Sequence, residues 1–339
     1  MARGTGTVVL TVTVAAFLAG CTFGPNRSAG VQHFVRGKLL AEHGAFDAAL
    51  AELAQAVKAN PSLGIAFATA GDIHRQRGDH ELARRSYESA CQANPYAFRP
   101  QYHLGLTYQT LARASKAADA IREYLRRAVK VYLRANMLEP QDFETNLNLS
   151  ACYFQLRKFD LAEQYCKAAL AIRPDDPHAH SNLGIIYDSE NRLYDAIREY
   201  KASLEIDTKQ PKLLMNLGGT YIRQGRLQRA IGAFKLAAEA DPTDAVAWEQ
   251  IGSCHYRKQQ YDLAQDAYEK AVSLDSRSHK AYRGIGVVHM TRFILDQDRT
   301  DSRDKALAAW HTSLELKPDQ EDLLRFVEKY TPKYTGPEL

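Results

Sequence analysis

Leu213–Pro242 reads LLMNLGGTYIRQGRLQRAIGAFKLAAEADP. The stretch is helical in pattern, yet it carries two adjacent glycines, Gly218 and Gly219, two residues after Asn216. A glycine inside a helix costs about 1 kcal/mol against alanine, so each needs a reason to be there. The closing proline supplies the context. Pro61 and Pro95 are 34 residues apart, as are Pro140 and Pro174, and two further steps of 34 from Pro174 reach Pro242. Thr208 and Ser276 fall at the same place in the phrase, and Pro318 closes the last copy. Two intervals are longer: 95–140 carries 11 extra residues and 276–318 carries 8.

Aligned on that proline, the interior repeats as well. Position 8 of the unit is Gly37, Gly71, Gly105, Ser150, Gly184, Gly218, Gly252 and Gly286. Position 20 is alanine in every copy, from Ala49 to Ala306, and position 27 is alanine except at Ser203 and Ser313. Position 11 is mostly aromatic, with His74, His255 and His289 as substitutes, which reads as packing. Small residues at 8, 20 and 27 let two helices approach closely, and bulky ones at 11 and 24 fill the space between them. No unit buries its apolar face alone, so stacking neighbours must build one continuous core.

The W/Y-x-x-L-G-x-x-Y phrase (Trp248 to Gly252; Leu217, Gly218, Tyr221), the A-x-x-x-F/Y phrase (Ala230, Phe234; Ala264, Tyr268) and the closing proline together resemble the tetratricopeptide repeat. The resemblance covers about residues 30–320. It implies an all-α, right-handed superhelical solenoid of about eight helix-turn-helix units. Their boundaries are 30–63, 64–97, 98–142, 143–176, 177–210, 211–244, 245–278 and 279–320. Residues 321–330, with Leu323, Leu324, Phe326 and Val327 on one side, read as a capping helix, and 331–339 as a polar tail. In repeat three, the helical face Ala118, Ile121, Leu125, Ala128 and Tyr132 predicts a second helix starting near Lys116, with Ser115 as its cap. Its outer face carries Arg122, Arg126, Arg127, Lys130 and Arg134, read as a solvated basic face, with an acidic partner as the sharper reading. In repeat eight, Leu295–Ser302 reads as a polar surface loop.

The first twenty residues differ from the rest. A short basic start, Met1-Ala2-Arg3, precedes the uncharged run Thr7–Leu18. That run falls short of the roughly 20 apolar residues a membrane span needs and reads as the core of a signal peptide. Leu18-Ala19-Gly20-Cys21 then resembles the lipobox of bacterial lipoproteins. The resemblance implies a signal peptide over 1–20, lipid attachment at Cys21, a lipidated tether over 21–29 and a place in the cell envelope facing the periplasm. Thr22, where an inner-membrane lipoprotein would carry Asp, points to the outer membrane of a two-membrane cell.

Charge and motif content narrow the function. A net charge of +4 from 44 basic and 40 acidic residues is too balanced for a nucleic-acid binder. There is no Gly-rich phosphate loop, no HExxH and no GxSxG, so neither an enzyme, a cofactor, a metal site nor a small-molecule substrate is expected. His178 and His180 lie two apart on a helix and face apart. Cys91, Cys152, Cys166 and Cys254 form no metal spacing and read as small buried residues, with a Cys152–Cys166 disulfide as the minor alternative.

What remains is binding in the concave groove lined by the first helices. Position 5 is mostly apolar and position 9 never Asn, so the carboxylate clamp of chaperone-binding relatives is not expected. Leu147, Ala151, Phe154, Ile185, Met215 and Ile222 make the middle of the groove apolar. Position 6 reads Asn148, Asn182, Asn216 and Gln250, with His103 before them. This series resembles the asparagine ladder of O-linked N-acetylglucosamine transferase, which holds peptide backbone. The expected function is a membrane-anchored protein–protein interaction scaffold in envelope assembly, secretion or pilus biogenesis. The alternative is a non-catalytic accessory subunit of a cell-wall enzyme or protease.

Overall fold

The structure, a computed structural model, describes residues 25–332. Among them the chain forms helices and no strand. In chain order these are α1 (Pro25–Glu42), α2 (Phe46–Ala59), α3 (Gly64–Arg77), α4 (His80–Ala93), α5 (Phe98–Ala114) and α6 (Ala118–Leu138). There follow α7 (Phe143–Gln155), α8 (Phe159–Ile172), α9 (Pro177–Ser189), α10 (Leu193–Ile206), α11 (Pro211–Arg223) and α12 (Leu227–Ala240). The last are α13 (Ala245–Arg257), α14 (Tyr261–Leu274), α15 (His279–Leu295), α16 (Thr300–Leu316) and α17 (Glu321–Tyr330). The chain divides into two compact units at Glu139–Pro140, with α1–α6 in the first and α7–α17 in the second.

Each repeat is one helical hairpin, and local chemistry places its ends. Asp142, Asp176, Asp244 and Ser278 cap α7, α9, α13 and α15 by accepting a hydrogen bond from a first-turn N–H. Pro177 and Pro211 stand where a helix start has no use for the missing donor. The turn inside the hairpin needs a left-handed residue at position 15. Gly44, Gly78 and Gly225 supply it, but Arg157, Asn191 and Gln259 adopt it too, at φ of 58°, 61° and 60°. A Cβ in that region costs about 1–2 kcal/mol, and glycine's extra chain entropy returns about 0.5–1 kcal/mol of that. Gln259→Gly should therefore stabilise the protein by about 0.5–1 kcal/mol, read as a rise in urea midpoint. An unchanged or lowered midpoint would show that the Gln259 side chain contributes more than its backbone conformation costs.

The two inserts differ from the expectation in the same way. Both are shared between the two helices of their hairpin. In repeat three, α5 runs 17 residues and α6 runs 21, against 14 for α3 and α4. Ser115 closes α5, its hydroxyl donating to the Leu111 carbonyl at 2.9 Å, and does not cap α6. In repeat eight, only the middle of Leu295–Ser302 is a loop, and its ends belong to the flanking helices. α15 and α16 are each 17 residues long and leave only residues 296–299 between them. Both long hairpins dispense with the left-handed turn residue; Ser115 and Asp296, which end their first helices, have φ of −78° and −147°. Of the residues the longer helices add in repeat three, Ala112 is buried, while residues 118–124 are half-buried or exposed. A third departure concerns the tether: residues 25–29 belong to α1, so the helix begins inside the span read as linker. Cys21 and the signal-peptide reading lie outside the described residues, as does most of the tail.

Inside each hairpin the core is a size match. A Cβ added to Gly71 would lie 2.7 Å from Tyr87 Cε1, and one added to Gly252 would lie 2.8 Å from Tyr268 Cδ1. At Gly218 the overlap with the Phe234 ring would be more severe. The glycine at position 8 thus receives the ring at position 24 of its own repeat. Repeat four keeps the match by changing both members: Ser150 stands where the glycine was, and Cys166 where the ring was, both buried. At three joints of the second unit alanine meets alanine. Ala169 packs with Ala179, Ala237 with Ala247, and Ala271 with Ala281. Where position 27 is serine, a glutamine seven residues on compensates. Gln210 Nε2 donates to the Ser203 carbonyl and hydroxyl at 3.2 and 3.0 Å, and Gln320 does the same to Ser313 at 3.0 and 3.1 Å. At the C-terminal end α17 buries Leu323 and Val327 against the cluster around Trp310.

Candidate functional site

In the second unit, α7, α9, α11 and α13 carry position 6. Asn148, Asn182 and Gln250 are half-buried there, and Asn216 is exposed. Asn148 Nδ2 donates to the Glu144 carbonyl one turn back at 2.8 Å, so part of its capacity is used by its own helix. Beside the amides run Leu147, Ala151, Phe154, Ile185, Met215 and Ile222, all half-buried. These six half-covered apolar side chains lie on the first helices of three successive repeats. Gly219 lies in the same strip, and a Cβ there would meet nothing within 4 Å. The two glycines of the opening stretch therefore serve different ends: Gly218 receives a ring, and Gly219 keeps the strip open.

One polar node in this strip escaped the sequence reading. Asp188 on α9 accepts from Thr220 Oγ1 on α11 at 2.6 Å and from the Arg223 guanidinium. Arg223 also donates to the Asp188 carbonyl at 3.3 Å. The acid and base sit 35 residues apart, one repeat and one position, a spacing that an inspection for ion pairs at the repeat offset would have found.

His103 belongs to the first unit and has a different setting. Its ring stacks on Tyr87 with centroids 5.8 Å apart and meets Tyr102 edge-on at 5.5 Å. Its Nδ1 is buried without a hydrogen-bond partner, and burial lowers its pKa below the ordinary histidine value. It lines a groove of about 840 Å³ together with Phe34, Ile65, Asp72 and Phe98. Tyr87 donates to Asp72 Oδ1 at 2.6 Å at its edge. This groove thus lies in the first three repeats and not beside the asparagines. Its aromatic lining comes from phenylalanines at several unit positions, so no single column of the alignment announces it.

The other residues singled out from the sequence have plain roles. His180 holds Glu199 through Nδ1 at 2.8 Å and faces the Pro174 carbonyl through Nε2 at 2.8 Å, while His178 is exposed. Cys91, Cys152, Cys166 and Cys254 are buried and form no disulfide with one another. Burial pushes the Cys166 thiol up to about 12 and the Cys254 thiol up to about 11, which keeps both uncharged. On α6, Arg122 pairs with Asp119 and Arg127 with Glu123, each at 2.7 Å, while Arg126, Lys130 and Arg134 are exposed. Among the described residues no cluster of three His, Cys, Asp or Glu could hold a metal ion, and no helix is long and apolar enough to cross a membrane.

Family models of the tetratricopeptide repeat match residues 34–98 and 108–177, 189–254, and 245–278. The chain belongs to the tetratricopeptide-repeat family. Its all-α solenoid is similar in fold to several solved structures. One is YrrB, described as a TPR protein with an unusual peptide-binding site, at 18% identity and a TM-score of 0.50, covering 59% of this chain and 99% of that one. Another is MamA from Desulfovibrio magneticus RS-1, at 21% identity and a TM-score of 0.48, covering 53% and 96%. A third is TTC0263, a thermophilic TPR protein of Thermus thermophilus, at 26% identity and a TM-score of 0.39, covering 57% and 100%. No curated protein matches the chain significantly.

Proposed function

We propose that this chain is a non-catalytic scaffold, held to an envelope membrane by lipid on Cys21, that binds an extended or helical segment of a protein partner. The partner would serve envelope assembly, secretion or pilus biogenesis, on the periplasmic side and, in a two-membrane cell, at the outer membrane. The observation that carries the binding mode is the half-covered apolar strip from Leu147 to Ile222, bordered by amides at one repeat offset. An amide offers both a donor and an acceptor, which suits the alternating groups of a peptide backbone. Apolar neighbours would then select side chains. Asn182 and Asn216 are the members best placed for this, because Asn148 already serves its own helix.

A photo-crosslinking amino acid at Gly219, where the space is open, should capture the partner from intact cells. Asn148→Ala, Asn182→Ala and Asn216→Ala together should cut that yield at least about tenfold. The melting midpoint should fall only slightly, the largest cost being the bond from Asn148 to the Glu144 carbonyl, about 0.5–1.5 kcal/mol. Equal capture by the triple variant would move the partner elsewhere, with the groove around His103 the next place to label.

A further inference from the structure

The first helix faces outward differently from every other. In the later repeats, positions 3, 7 and 10 of the first helix are covered by the preceding repeat. Leu183 and Ile186 on α9 are examples, with 3% and 1% of their surface exposed. On α1 these positions are Gln32, Arg36 and Leu39. Two polar residues discourage a further repeat from stacking there, as an end unit requires. Yet Leu39 is 55% exposed, and Val31 and Val35 beside it are 48% and 58% exposed. Spaced four residues apart, the three form one row along the helix. Arg27 and Arg36 are exposed beside the row, and the only acidic residue of α1 is Glu42 at its far end. The C-terminal helix α17 lays Leu323 and Val327 over Trp310 and leaves Leu324 and Phe326 exposed.

An apolar row with cationic neighbours and few acids is the composition of a helix that lies in a lipid interface. Chain connectivity puts a bilayer within reach. Pro25 opens α1 four residues after Cys21. At full extension four residues span about 14 Å. We propose that Val31, Val35 and Leu39 form a second membrane contact, entering the surface of an anionic bilayer while Arg27 and Arg36 meet its phosphates. This rests on the lipid-anchor reading of Cys21. It converts a single-point tether into a two-point mount, in which α1 lies along the surface and sets the direction in which the array leaves it.

The test uses the full-length protein expressed with labelled fatty acid and reconstituted into vesicles of phosphatidylethanolamine and phosphatidylglycerol. An environment-sensitive fluorescent amino acid replaces Val35 in one sample and Leu324, exposed on the C-terminal helix, in another. The label at 35 should shift to the blue and lose roughly half its emission when the acyl chains are brominated, as for a side chain in the interface. The label at 324 should do neither. Fatty acid on Cys21 with a label at 35 that stays in water would overturn the second contact and leave the anchor standing. Absence of fatty acid, in step with a Cys21→Ser control, and a label in water would overturn both. A blue shift at 35 with no loss to brominated chains would also overturn the proposal, because the row would then be covered by protein.

Discussion

Gly218→Ala should destabilise the protein by about 1–3 kcal/mol, the range of an overpacked core, while Gly219→Ala, one residue on, should stabilise it by up to about 1 kcal/mol. The two substitutions are chemically identical and lie on the same helix, so helix propensity favours both equally. The difference is what the new methyl group meets. At 218 it overlaps the Phe234 ring, which is 1% exposed. At 219 it meets open space. Urea melts of the two variants give the comparison directly. A second substitution, Phe234→Leu, should make Gly218→Ala less costly than it is alone, since a smaller side chain can yield. Stabilisation by both single variants would mean that the ring moves aside freely and that the size match is not what holds the hairpin together.

Repeat four allows the converse test. Cys166→Tyr, which installs the residue found at position 24 in four other repeats, should destabilise by about 1–3 kcal/mol because Ser150 occupies the space the ring needs. Adding Ser150→Gly should recover most of that loss, giving a coupling of at least about 1 kcal/mol, well above the scatter expected for independent sites. Ser150→Gly alone should be unfavourable, since it removes the hydroxyl that donates to the Ala162 carbonyl at 2.8 Å and opens a void beside Cys166. Strict additivity of the three measurements would remove the pairing of positions 8 and 24 as an explanation for the serine.

Much of this architecture is legible in the sequence, for a physical reason. A residue type that recurs every 34 positions reports an environment that recurs, so the buried alanines, the hairpin limits and the helix at 321–330 can be read without coordinates. The inserts are where that reasoning fails. Periodicity shows that eleven residues are extra between Pro95 and Pro140, but sharing them between two helices satisfies the apolar pattern as well as adding them to one. The structure takes the shared form, with α5 running on to Ala114 and α6 starting at Ala118. The same holds for Leu295–Ser302, whose polar character suits an exposed helical turn as well as a loop. The groove around His103 was hidden because its walls come from residues at unrelated unit positions. The asparagine series was visible, but the bond from Asn148 to its own helix was not, because a sequence gives residue types and not the orientation of an amide.

The pairing of positions 8 and 24 has a consequence for how such a chain can grow. Both members lie within one 34-residue segment, so a duplicated segment brings its own matched pair, although the ring also meets position 6 of the next copy, as Tyr87 meets His103 and Tyr268 meets Gly284. That leaves each copy free to drift, provided the two change together, and position 24 now holds Leu53, Tyr87, Cys166, Phe234 and Trp310 among its eight occupants. Position 27 has no such freedom. It meets the following copy, whichever that is, so any bulk gained there must be accommodated by a stranger. Only alanine and serine occur at it. Diversity is greater at the position matched within a copy than at position 27, as it would be in a chain lengthened by copying.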